Sequence, residues 1–167
     1  MQKISKRIFI LDVYLIDDKG RIATVIRDEN DIYEKNIVSA LILTLPGGSH
    51  PIEYIKEYLT KKGIKIRNKI KLLSSIYQNF FDSEPEVEYL VFSFLVNVET
   101  IEQIEGDKEN SKIQWLTLTE FQNHPKLMPE MKLSKIADIL ANNPVYYRGR
   151  YRDSDGSNDV ISRENFN

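Results

Sequence analysis

An α+β fold organised around one β-sheet is predicted by three features of the sequence. Residues 7–16 and 21–27 are β-rich and are joined by Asp17-Asp18-Lys19-Gly20, turn chemistry that specifies a hairpin. Residues 86–98 are apolar on both of their alternating faces, the pattern of a central strand covered on each side. Between them, Ser49 to Lys62 carries Ile52, Ile55 and Leu59 at helical spacing.

Each element follows from its residues. After the hairpin, 28–35 is polar and reads as a loop, and Ile37 to Leu45 is an apolar strand ended by Pro46-Gly47-Gly48. Pro51 suits the first helical turn, with Ser49 or His50 before it as cap. Gly63 stands just past the helix end, behind Lys61 and Lys62, whose charges favour the negative pole. Residues 69–79 and 86–98 are two long strands joined by a loop containing Asp82-Ser83-Glu84-Pro85. In the second, Val87, Tyr89, Val91, Ser93, Leu95 and Asn97 share one face. Residues 99–111 form an acidic loop, and Lys112 to Leu118 a short strand with the single tryptophan, Trp115. Thr119-Glu120-Phe121 starts a short helix, and residues 131–142 form a last amphipathic helix with Leu133, Ile136, Ile139 and Leu140 inward. The domain is expected to span 1–143. A polar tail, 144–167, follows, with Tyr and Arg alternating over 146–152 and a disordered stretch from Asp153 to Asp159. The Tyr/Arg stretch is expected to pack on the domain or in an assembly.

Composition removes whole classes of chemistry. The chain has no cysteine, which excludes disulfides, thiolate metal sites and cysteine nucleophiles, and two histidines are too few for a histidine-based zinc site. A net charge of −2 gives no global pull toward nucleic acid or membrane, so neither is an expected partner. No apolar run is long enough to span a bilayer. The basic start, Lys3 to Arg7, leads into Ile8-Phe9-Ile10-Leu11, but Asp12 interrupts that run and no small-residue cleavage site follows. It reads as a strand rather than a leader, with the cytoplasm as default location.

Leu45-Pro46-Gly47-Gly48, then Lys56-Glu57-Tyr58-Leu59-Thr60-Lys61-Lys62-Gly63-Ile64, and finally Gln114 to Phe121 carry a resemblance to the Nudix (MutT-like) hydrolase superfamily over residues 7 to 142. The resemblance implies an α/β/α sandwich around a mixed sheet, and a pyrophosphohydrolase acting on nucleoside diphosphate derivatives. The family box, G-x5-E-x7-R-E-U-x-E-E-x-G-U, supplies glutamates that hold divalent cations on a diphosphate. The ions neutralise the repulsion met by an anionic nucleophile and acidify the attacking water.

This chain departs from that box. Only 14 residues separate Gly48 from Gly63, about six fewer than the pattern, a shortfall of more than one helical turn. Aligned from Gly63 backward, Lys56 falls on the family arginine, Glu57 on the first glutamate, and Thr60 and Lys61 on the next glutamate pair. No metal is therefore expected, with Glu53 and Glu57 the weak candidates as ligands and Glu57 the weak candidate for catalysis. A pairing of Glu57 with Lys61 is the simpler role for the helix face.

The expected function is a degenerate Nudix-type protein that binds a nucleotide or nucleoside-diphosphate ligand, with hydrolase activity lost or impaired. Gly47, Gly48, His50, Lys56 and Lys61 are the candidate ligand contacts: glycines admit backbone amides to a phosphate, and lysines replace the metal charge. One alternative is a divergent, active hydrolase that uses Mg²⁺ and draws carboxylates from outside the box, such as Glu84, Glu86 or Glu88, with Glu105 and Glu109 read as plain loop residues. Another is a protein-interaction module on the same fold, and a homodimer stays open. The run Lys61 to Lys71, with six basic residues and no acid, reads as a phosphate, nucleic-acid or acidic-partner patch, or as an edge strand whose lysines deter aggregation.

Overall fold

The computed structural model describes residues 6–27, 37–80, 87–101, 113–128, 131, 132, 136, 145–151 and 158–165. Its strands are β1 (Lys6–Ile16), β2 (Ile22–Arg27), β3 (Ile37–Ser39), β4 (Leu41–Thr44), β5 (Lys71–Phe80), β6 (Val87–Asn97), β7 (Ile113–Leu116), β8 (Val145–Tyr151) and β9 (Asn158–Asn165). The helices are α1 (Pro51–Lys61) and α2 (Leu118–Gln122). The sheet is mixed. Its main path runs β3-β2-β1-β6-β5-β8-β9, with β4 on β1 and β7 on β2. The β1·β6 and β5·β8 pairs are parallel, the others antiparallel.

Alternation along β1 builds two cores. Leu11, Val13 and Leu15 join Leu41, Leu43, Phe94, Val96 and Val98 under Ile55 and Leu59 of α1. On the other face, Tyr14 and Ile22 pack with Phe121 of α2 and with Leu127, Met128, Met131 and Ile136. Tyr14 meets Phe121 edge to face at 6.1 Å. The result is the expected α/β/α sandwich. β6 lies between β1 and β5 and is buried on both faces over its second half, as its two-sided apolar pattern requires.

Several elements differ from the sequence reading, each for a physical reason. The first hairpin closes at a single pair, Ile16↔Ile22, because β4 occupies the edge of β1 from Ile10 to Val13 and turns β2 away toward β3 and β7. The strand expected over 37–45 is two strands, since the chain changes partner from β2 to β1 at Ala40. There the amide of Ala40 donates to Sδ of Met131 at 3.3 Å. The basic run 61–71 is not an edge strand: apart from Lys71, which starts β5, it makes one bridge, Ile66↔Val98. Its isoleucines, Ile64, Ile66 and Ile70, turn into the α1-side core. The tail expected from 144 contributes β8 and β9, and β8 extends the sheet beside β5 through Ile76↔Tyr147 to Asn79↔Arg150. Of the last helix, Met131, Lys132 and Ile136 are helical and the remainder of 131–142 lies outside the described residues. So do the loops 28–35 and 81–86, the acidic loop after Ile101, and 152–157.

Candidate functional site

The candidate residues gather on and around α1. Pro51 opens the helix, and His50, in extended conformation at the cap, makes no side-chain capping bond. At the other end the amide of Ile64 donates to the carbonyl of Leu59 and Gly63 takes a positive φ of 71°. Ile55 and Leu59 are wholly buried, which fixes the rotation of the helix. Glu53, Lys56, Glu57 and Lys61 consequently lie on the opposite, exposed face.

On that face Nζ of Lys56 donates to Oε1 of Glu53 at 2.9 Å. The hydrogen bond first, then the ammonium charge and that of His50, hold the Glu53 carboxyl below its ordinary range. The Glu57–Lys61 pair expected from the sequence is not among the ion pairs of the described residues; the helix pairs Lys56 with Glu53 instead. This donor set does not fit a divalent cation. One carboxylate is already neutralised by an ammonium, the other stands a turn away, and Lys61 points a further cation at the same face. Among the described residues no group of three or more histidine, aspartate or glutamate side chains converges.

The helix divides the predicted ligand contacts into two sets. Gly47, Gly48 and His50 precede α1 and Lys56 follows within two turns, but Lys61 closes its far end. Eleven helical residues span about 16 Å, so one phosphate cannot touch both ends. The two glycines also differ. Gly48 needs its left-handed φ of 79° for the turn. Gly47 has no positive φ, and a Cβ added there meets nothing within 4 Å. The turn itself therefore does not require glycine at 47.

A polar pair missed in the sequence lies in the sheet. Asp12 and Ser93 are register partners across β1 and β6, on the face away from α1, and both are buried. Among the described residues Oγ of Ser93 has no hydrogen-bond partner. The pair forms a polar row between two apolar ones, Ile10 with Val91 and Tyr14 with Leu95. Ile10 is half-buried and Thr44, its partner in β4, is exposed, so this face opens toward the N-terminal end of β1. Ile42 of β4 pairs with Asp12, and the same strand runs out into Pro46-Gly47-Gly48. The polar row lies on the sheet face opposite α1, whereas the glycine turn leads into α1. In the sequence, Asp12 only interrupts an apolar run; its meaning appears once β6 sets Ser93 beside it.

Of the carboxylates proposed outside the box, Glu88 is held by Nε of Arg7 at 2.6 Å. Glu84, Glu86, Glu105 and Glu109 lie outside the described residues. Nδ1 of His124 accepts from the amide of Lys126 at 3.2 Å within a turn.

No family model and no curated protein matches this sequence. Solved structures do. A MutT protein from Bacillus halodurans matches with a TM-score of 0.67 at 16% identity, over 95% of this chain and 97% of that one. A NUDIX hydrolase from Nitrosomonas europaea matches at 0.60 and 15% identity, over 81% and 90%. A MutT protein from Methanosarcina mazei Go1 matches at 0.58 and 13%, over 82% and 95%. Two cores either side of a mixed sheet, a glycine turn leading into a helix along one face, and these matches together establish that the chain has the Nudix fold.

Proposed function

We propose that this protein binds a nucleotide or nucleoside-diphosphate ligand and that its hydrolase activity is lost or impaired. The observation that carries this reading is the Lys56–Glu53 ion pair, 2.9 Å long, on the helix face where the resemblance calls for metal-holding glutamates. Exposed, the pair contributes little by itself, but the ammonium beside the carboxylate repels a divalent cation. A phosphate is favoured by the same ammonium. The glycine turn at 47–48 gives backbone amides room to approach such a group. Proteins named as MutT and NUDIX hydrolase share the fold, which supports the ligand class by analogy.

Thermal unfolding against nucleoside triphosphates, nucleotide sugars, ADP-ribose and dinucleotides, each with Mg²⁺ and with chelator, tests the reading. A ligand at about 100 times its Kd stabilises by about 2.7 kcal/mol. The expected result is stabilisation that survives the chelator, without product formation. Stabilisation that requires Mg²⁺, with hydrolysis, establishes a divergent hydrolase instead. A flat panel removes the ligand and leaves a protein-interaction module.

A further inference from the structure

The run from Lys61 to Lys71 has a structural order that its composition does not reveal. Ile64 is 3% exposed, and Ile66 and Ile70 pack against the same core. The Ile66↔Val98 bridge, with the amide of Arg67 donating to Asn97 at 2.8 Å and that of Glu99 to Lys65 at 3.2 Å, fixes the backbone between them. Inward isoleucines hold Lys65, Arg67, Lys69 and Lys71 outward, and all four are exposed, as is Lys61 at the end of α1. In extended chain, alternate residues are about 7 Å apart, so Lys65 and Arg67 on either side of Ile66 form a stepped pair; Lys69 and Lys71 follow the bend at Asn68, and Lys61 stands on the last turn of α1.

The acids nearest Lys65 and Arg67 oppose them weakly. Lys65 lies 3.7 Å from Glu99 and Arg67 3.8 Å from Asp18, and all four side chains are more than 40% exposed. Exposed pairs at such distances contribute about 0–1 kcal/mol and yield to a stronger anion. Lys61 and Lys69 have no ion pair among the described residues. Lys62 sits over the Tyr58 ring at 5.5 Å and stands apart from these cations. With net charge −2 for the whole chain and +6 within this run, the remaining residues carry −8. Basic charge is thus concentrated in this run against a net acidic remainder, which favours anions beside it.

We propose that this run docks the sugar–phosphate backbone of a single-stranded nucleic acid. Lys65 and Arg67, with only the inward Ile66 between them, match a polymer with one charge in every repeat. The isoleucines of the run turn inward, so the run itself presents charge rather than an apolar anchor of the kind a protein partner uses. The overall net charge argues against nucleic acid only while the basic residues are taken as dispersed, and the fold gathers them. This surface is separate from the glycine turn by the length of α1, so it stands or falls independently of the ligand proposed above.

Fluorescence anisotropy of a labelled 15-nucleotide oligouridylate with the full chain provides the test. Four phosphate contacts, from Lys61, Lys65, Arg67 and Lys69, give a slope of log K against log salt of about −2.8, an affinity loss of about fifty-fold between 50 and 200 mM salt. The double variant Lys65→Glu/Arg67→Glu abolishes binding. Lys61→Glu/Lys69→Glu, which breaks no ion pair among the described residues, weakens it at least tenfold with an unchanged circular dichroism spectrum. Excess uridine monophosphate leaves binding intact; displacement by it places the oligonucleotide in the nucleotide site and overturns the proposal. So do absence of binding at 50 mM salt, indifference to both double variants, or stronger binding of polyglutamate of equal charge, which assigns the run to an acidic protein.

Discussion

Nη2 of Arg21 lies 2.6 Å from Oδ2 of Asp17, and the same guanidinium stands 5.7 Å from the centre of the Trp115 ring. Asp17 also accepts from the amides of Lys19 at 3.0 Å and Arg21 at 2.8 Å. The carboxylate thus ties the turn after β1 to the start of β2, and Arg21 ties that corner to β7. Burial works against the charge of Asp17, but the hydrogen bonds from Arg21 and Lys19 and the Arg21 charge outweigh it and depress its pKa. A depressed carboxyl contributes stability that is present above its unfolded pKa and lost as pH falls through the folded one. Asp17→Asn is expected to cost about 1–3 kcal/mol at neutral pH. Denaturation curves of the two proteins should converge in acid, below the ordinary carboxylate range. A gap that persists there assigns the loss to packing rather than to the ion pair.

The two faces of α1 predict opposite sensitivities. Ile55→Ala and Leu59→Ala each remove a wholly buried side chain and should cost about 2–5 kcal/mol. Glu57→Ala, on the exposed face, should stay within about 0.5 kcal/mol. Urea titrations of the three variants check this. A large effect of Glu57→Ala would show that its carboxylate has a partner that holds the fold.

Gly47 and Gly48 are expected to separate stability from binding. Gly48→Ala forces a side chain into left-handed backbone and should cost about 1–2 kcal/mol, as should Gly63→Ala. Gly47→Ala meets no atom and should leave the melting temperature unchanged. If a phosphate approaches this backbone closely, Gly47→Ala weakens ligand stabilisation all the same. Equal ligand response in wild type and Gly47→Ala removes the glycine turn from the site.

Ser93 and Thr24 are both buried hydroxyls with different prospects. Thr24 donates to the carbonyl of Gln114 at 2.7 Å, and Thr24→Val should cost about 1 kcal/mol. Oγ of Ser93 has no partner among the described residues, so Ser93→Ala should be neutral or stabilising. A destabilised Ser93→Ala protein would show that the hydroxyl is already satisfied in the folded state.

Much of this was legible from local chemistry. Asp17-Asp18-Lys19-Gly20 specified its turn, and Gly20 indeed has a φ of 71°. Pro51, the Ile55/Leu59 spacing and Gly63 bounded α1 to within two residues. Thr117 and Glu120 form a capping box, with Glu120 Oε2 accepting from the Thr117 amide at 2.7 Å, a signature readable at that spacing but passed over. What stayed hidden depends on partners distant in sequence. Nothing near Ala40 announces a change of partner strand, and nothing near Asp12 points to Ser93. The composition of 144–167 suggested a tail because polar residues on an added edge hairpin need no buried stripe. The Glu53–Lys56 pairing at i,i+3, in place of Glu57–Lys61, turns on rotamers that spacing alone does not choose.

The parallel ladder of β1 with β6 runs from Lys6↔Val87 to Ile16↔Asn97 without interruption. It has a consequence for how the chain reaches its native state during synthesis. β1 has as its longest-paired neighbour a strand that leaves the ribosome about eighty residues later. Until then Leu11, Val13 and Leu15 have no central sheet to enter, and neither core can close. Folding should therefore be slow for a chain of this length, because a long loop must be closed before its contacts repay the entropy. Fragments ending before residue 97 should bind chaperones rather than fold.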